Sequence, residues 1–213
     1  MFQMNFPRPS NFPFPLEGEI KCLHHDELLR LTEVYRLSFE EKKGKRYRRK
    51  ERARHWLIFL LLRYTGARVS EVIKVDDLRD IDFREAMVTL PTLKRHSPHK
   101  KGLKRTIPLP AQFLGEMGRV LAEYPALRGS IFRCHRSTVF RYFKARAKEA
   151  GLPSHLCHPH VLRHTRALEL LRAGVPVTIV QELLGHASLT TTAIYLRFSG
   201  REMKEILKDR GLI

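Results

Sequence analysis

In "HDELLRLTEVYRLS", from His25 to about Ser38, the apolar residues Leu28, Leu31, Val34, Tyr35 and Leu37 recur near a helical period. Asp26 is placed to cap its start. The stretch "HWLIFLLLRYTG" is apolar on nearly every side, which predicts a buried helix stopped at Gly66, where a left-handed C-cap costs glycine little. A short helix restarts in "ARVSEVI", and "VDDLRDIDF" reads as a polar connector leading into a strand. Residues 86–94, "AMVTLPTLK", and 104–110, "KRTIPLP", carry β-type residues around a basic, Gly-containing loop, as a hairpin or the edge of a small sheet would. After Pro110 the helical spacing returns over 111–123, 138–149 with Ser137 as cap, 160–173, 176–184 ending at Gly185, 188–197 and 201–209. The expectation is a mainly α fold with a small antiparallel β-sheet and no internal repeat.

Charge changes this picture most. Forty Lys plus Arg against 22 Asp plus Glu give +18, a surplus suited to a polyanion. Nine of those cations lie in "KKGKRYRRKERAR", residues 42–54. Such runs are commonly solvated, partly mobile segments, but in so basic a chain phosphate contact is at least as good a reading. Residues 1–18 are rich in Pro and Phe and read as an arm with no core of their own, leaving 19–213 as the domain proper. No apolar run reaches membrane-spanning length and the N-terminus lacks the layout of a secretory signal, so a cytoplasmic protein with no membrane partner is expected. Cys22, Cys134 and Cys157 are too scattered for a disulfide framework. His155, Cys157, His158, His160 and His164 crowd together in sequence, but no second ligand cluster answers them. Neither a metal nor a cofactor is expected.

Four short stretches carry candidate chemistry. Arg68 in "YTGARVSEV" stands past a helix stop and at the start of the next helix, where free N–H groups also favour a phosphate. His160 and Arg163 in "PHVLRHT" are three apart, hence on one face of a helix that Pro159 would start. His186 follows the glycine of "LLGH", and Tyr195 comes nine residues later. Guanidinium groups match phosphate oxygens bidentately, imidazoles move protons, and a tyrosine can attack a phosphodiester if its leaving oxygen is protonated. Taken singly, each stretch has an ordinary structural reading: a surface ion pair, a polar stripe, a capping histidine, a core tyrosine.

The order TGxR, PHxLRH, LLGH and then Tyr195 resembles the tyrosine recombinase (phage integrase) family, including the Xer-type recombinases. The resemblance covers about residues 20–200 and is densest in "HPHVLRHTRALELLRAGVPVTIVQELLGHASLTTTAIYL". It implies the family's catalytic-domain fold and a site-specific recombinase that joins Tyr195 to a 3'-phosphate and frees a 5'-hydroxyl, without metal or ATP. On the matching positions it implies that Arg68 and Arg163 clamp the phosphate, His186 donates to a non-bridging oxygen, His160 shuttles the tyrosine proton and Glu71 orients Arg68. Lys94 best fits the general acid on the hairpin, with Lys100, Lys101 and Lys104 in the same loop. The partners implied are double-stranded DNA and further copies of the chain, as a tetramer on paired sites to which "GREMKEILKDRGLI" would contribute. Catalytic-domain-like sequence starts within the first twenty-five residues, so the family's usual N-terminal core-binding domain is expected to be absent. Lys45, Arg46, Arg48 and Arg49 of the basic segment, Lys101, and Arg141 and Lys144 of "STVFRYFKARAKEAG" are the expected further DNA contacts.

Other classes compete. A helix-turn-helix regulator would use "VPVTIVQELLGHASLTTTAIYL" without chemistry but leaves Arg68, His160, Arg163 and His186 in matching contexts for no reason. A type IB topoisomerase-like enzyme would share the chemistry, and a metal-dependent nuclease would need Asp76, Asp77, Asp80 and Asp82 or the histidine cluster.

Overall fold

The computed structural model describes residues 21–91, 104–185 and 208. The arm 1–18, Lys94, Lys100, Lys101, His186, Tyr195, the helix expected at 188–197 and, apart from Lys208, that expected at 201–209 lie outside the described residues.

Seven α-helices and three strands follow in the order α1 (His25–Glu40), α2 (Arg46–Thr65), α3 (Val69–Val72), β1 (Ile81–Asp82), β2 (Met87–Pro91), β3 (Lys104–Pro108), α4 (Ala111–Glu123), α5 (Arg136–Glu149), α6 (His160–Arg172) and α7 (Val177–Leu184), among the described residues. The strands form one antiparallel sheet in the order β1-β2-β3. This is the mainly helical fold with a small sheet that the apolar pattern predicts. The expected connector "VDDLRDIDF" adds the short strand β1, in which Ile81 pairs with Val88.

α2 organises the rest. Its second half is buried on every side, from His55 through Leu62, and packs against α1, α4 and α6. Tyr35 of α1 stacks on Phe59 with ring centroids 4.2 Å apart. Trp56 donates to Glu116 of α4 at 2.8 Å. Arg63 makes a two-pronged ion pair with Glu169 of α6, both bonds 2.7 Å. A smaller cluster of Ala167, Leu171, Val180 and Leu184 joins α6 to α7.

The basic segment is mostly helical. From Arg46 onward its cations belong to α2, one continuous helix of 20 residues. No Pro or Gly interrupts 46–65, and long unbranched side chains lose little freedom in a helix, so the apolar half extends through the charged one. Two caps also differ from expectation. α1 begins after His24, whose N–H is taken by Glu27 Oε2 at 2.8 Å, so Asp26 sits in the first turn instead of capping it. α5 begins after His135, and Ser137, expected as its cap, bonds the His135 ring at 2.6 Å.

Candidate active site

Gly66 ends α2 in the left-handed conformation, φ 63°, and turns the chain into Arg68, the residue that opens α3. A Cβ on Gly66 would stand 2.6 Å from Leu184 Cδ2 of α7 and 3.4 Å from Arg166 Cβ of α6. Glycine is required here for its conformation and for this close approach. Arg163, one turn into α6, is almost wholly buried and donates from Nη1 to the Gly66 carbonyl at 2.8 Å. The two arginines are thus set against a single turn.

Arg68 keeps about a third of its side chain exposed and donates from Nη1 to Glu71 Oε1 at 3.0 Å, while its N–H meets Glu71 Oε2 at 2.9 Å. Glu71 is fully buried. Burial alone pushes its carboxyl pKa up, but the hydrogen bonds and charge of Arg105, followed by those of Arg68, hold it below the ordinary value. Arg105 of β3 reaches Oε2 at 2.7 Å and Oε1 at 3.3 Å, and its Nε donates to the Leu183 carbonyl near the end of α7 at 2.8 Å. Sequence reasoning missed Arg105. The signal was the alternation of "KRTIP", which puts Arg105 and Ile107 on one face while Lys104 and Thr106 point out.

His160 is the first residue of α6, edge-on to the Phe140 ring at 6.4 Å and 6.5 Å from the His158 ring. Its pKa lies below the usual histidine value, from partial desolvation first and then from His158, Arg163, Arg136 and Arg68. The charges of both Arg68 and Arg163 thus act on His160. Arg136, at the start of α5, joins them and lies 5.1 Å over the Phe140 ring. His164, one turn on from His160, is pushed down to about 4 by desolvation and by its cationic and imidazole neighbours. A neutral imidazole beside two guanidiniums can accept a proton, and the guanidiniums can hold an anion.

The other expected contacts lie apart on two helices. Lys45, Arg46 and Arg48 are exposed at the start of α2 and Arg49 is half-buried. Arg141 and Lys144 are exposed on α5, whereas Arg146 is paired with Glu149 at 3.0 Å and lies over the Tyr142 ring. The acidic run is structural where it is buried: Asp77 accepts the N–H groups of Gly129 and Ile131, and Asp80 pairs with Arg79 at 2.7 Å. Among the described residues no three His, Cys, Asp or Glu side chains converge to hold a metal ion, and no helix is long and apolar enough to cross a membrane.

Residues 21–201 match the family model described as the phage integrase family. The tyrosine recombinase XerA of Pyrococcus furiosus is 36% identical over 173 residues, which are 77% of this chain and 57% of that protein. In three dimensions the chain is similar to the crystal structure of XerA recombinase, with TM-score 0.66 and 26% identity over 95% of this chain and 66% of the other. It shares the fold of the XerH site-specific recombinase bound to its difH substrate, with TM-score 0.63 and 24% identity over 83% of this chain and 50% of the other. The chain spans about half the length of the curated relatives it matches.

Proposed function

Because the chain belongs to the phage integrase family, we propose that it is a site-specific DNA recombinase that cuts and rejoins strands through a 3'-phosphotyrosyl intermediate. The observation that carries this reading is the placement of Arg68 and Arg163 against the turn at Gly66, with His160 one turn before Arg163 on α6 and held below its usual pKa by partial desolvation and by neighbouring charges that include both arginines. Two guanidiniums grip the non-bridging oxygens of the scissile phosphate, and they do so more strongly as charge builds on the phosphorane. Tyr195 Oη attacks phosphorus and gives its proton to His160, which is neutral near pH 7 and free to accept it. The bond to the 5' oxygen breaks as Lys94 protonates that oxygen, and His186 donates to a non-bridging oxygen. Attack by a 5'-hydroxyl of another strand reverses the sequence. Bond energy is conserved in the phosphotyrosine, so the proposed cycle needs neither metal nor nucleotide.

The partner is double-stranded DNA, as the complex of XerH with its difH substrate suggests for that relative. Two further features support this. α2 and α5 have no acidic residue in their first turns and open on cations, an arrangement that opposes the helix dipole. Electrostatic cost without local compensation is expected where an anion docks. We assign phosphate contacts to Lys45, Arg46, Arg48 and Arg49 on α2, to Lys101, and to Arg141 and Lys144 on α5. Pairing of two sites by four copies of the chain, in the cytoplasm, completes the proposal.

Covalent capture tests it. The protein is incubated in EDTA with a randomised duplex library and with its own flanking DNA, then denatured, with Tyr195→Phe in parallel. Adducts from wild type alone support the nucleophile and the metal-free cycle, and sequencing the trapped strands yields the site. Sequence-specific binding without an adduct would sink the recombinase reading in favour of a regulator.

A further inference from the structure

On the inward face of the sheet, Arg105 stands where an apolar residue is the default. Its Cα partner across the ladder is Leu90, its neighbour on the same face is Ile107, and Leu90 and Ile107 are both buried. Taking a guanidinium out of water costs several kcal/mol unless it is paired, and an apolar replacement for a buried ion pair is often as stable. Stability is therefore a poor reason for Arg105 to be there. Its contacts suggest another. The Arg105 fork takes both oxygens of Glu71 on α3, and its Nε holds the Leu183 carbonyl on α7. A Cβ on Gly185 would come within 2.8 Å of its Nη1, so the left-handed glycine at the end of α7 leaves the space this guanidinium occupies. Three elements meet on this one side chain: the strand leaving the hairpin, the helix opened by Arg68, and the turn that immediately precedes His186 in sequence.

The charge count around Glu71 gives Arg105 its second effect. One fully buried carboxylate faces two guanidiniums. With Arg105 bonded to both oxygens, Arg68 donates from Nη1 and keeps about a third of its side chain in reach of solvent. Without Arg105, the carboxylate's strongest partner would be Arg68, which a two-pronged pair would draw inward and neutralise. We propose that Arg105 is a positioning residue for strand cleavage: it takes up the charge of Glu71 so that Arg68 faces the scissile phosphate, and it ties that arrangement to the end of α7. The inference rests on the recombinase reading above.

The test uses the full chain and a half-site duplex, of the sequence found by capture, whose short 5'-hydroxyl fragment diffuses away so that the phosphotyrosyl product accumulates. The cleavage rate at saturating protein and the DNA affinity are measured separately for wild type, Arg105→Met, Arg105→Lys and Arg68→Ala, and for Arg68→Ala combined with Arg105→Met. Arg105→Met is expected to slow cleavage about 10²-fold, the scale of a misplaced reacting geometry, with affinity changed by less than about threefold. Arg105→Lys keeps the charge and the fold but not the fork, and should recover roughly a tenth of the wild-type rate. In the Arg68→Ala background, Arg105→Met should cost less than about threefold, because the residue it positions is gone. Equal losses with and without Arg68 would mark Arg105 as merely structural and overturn the inference. So would a wild-type rate in Arg105→Lys, which also decides the matter if Arg105→Met is unfolded at the assay temperature. No Tyr195-dependent adduct from wild type removes the recombinase reading and this inference together, whereas a wild-type adduct with insensitive Arg105 variants removes the inference alone.

Discussion

Gly66 meets two demands at once, a left-handed turn and van der Waals contact with Leu184, and both bear on the proposed clamp because Arg163 bonds its carbonyl. Gly66→Ala should lower stability by roughly 3 kcal/mol, combining left-handed strain with overpacking, as denaturant melts would show. A change under about 0.5 kcal/mol would mean that α7 can retreat without cost. His55 is a second residue with a clear physical prediction. It is 4% exposed in the middle of α2, stacked on Tyr142 at 4.1 Å, and burial lowers its pKa to about 4. The folded state then binds fewer protons than the unfolded one between about pH 6.5 and 4, so the stability contributed by neutral His55 is present above that window and lost as pH falls through it. The loss is on the order of 3 kcal/mol, and His55→Phe should remove that share of the fall in thermal midpoint across the window while keeping the stack, leaving the share due to His164. The placement of Gly66, Arg68, His160 and Arg163 at or within one turn of a helix boundary was legible in the sequence, because helix ends leave a local signature. Arg105 left only the alternation of its strand, because its partners Glu71 and Leu183 lie 34 and 78 residues away.

At the scale of elements, α2 shows where local reading stops. Its apolar half announces a buried helix, but nothing local distinguishes a solvated charge run from the first turns of that helix, and tertiary packing decides it. The entry is held by Arg52, which folds back to the carbonyls of Glu41 and Lys43 and lies 3.6 Å from Glu41 Oε2. Rigid cations at the start of a helix track a phosphate backbone better than a loose segment would, since less freedom is lost on binding. Replacing Lys45, Arg46, Arg48 and Arg49 together by Gln should reduce the slope of log K against log salt by about 0.9 for every phosphate left without its cation. Binding titrated across salt concentrations checks this, and an unchanged slope would show that the start of α2 faces away from DNA. The same change should raise the helicity and stability of the free protein slightly, because it removes cations from the positive end of the dipole.

For the whole molecule, a surplus of +18 on a chain of 213 residues acts against its own compact state and in favour of a polyanion. These two effects respond oppositely to salt. Raising the ionic strength from about 0.01 M to about 0.15 M shortens the screening length from roughly 30 Å to about 8 Å, which relieves repulsion between cations on different faces of the protein. The free protein should therefore melt at a higher temperature in the higher salt. Its complex with duplex DNA should show the reverse, because the stabilisation a ligand gives is set by its affinity, and that affinity falls as counterion release loses its advantage. The two melting curves should converge as salt rises. Divergence, or a free protein that salt destabilises, would mean that the cations are already paired within the fold and that the net charge says little about DNA. Paired cations are common enough here, in Arg36 with Glu33 and Glu40, Arg54 with Glu51 and Arg63 with Glu169, for the experiment to be a fair one. The expected convergence would show that the surplus charge acts on DNA and is not neutralised within the fold.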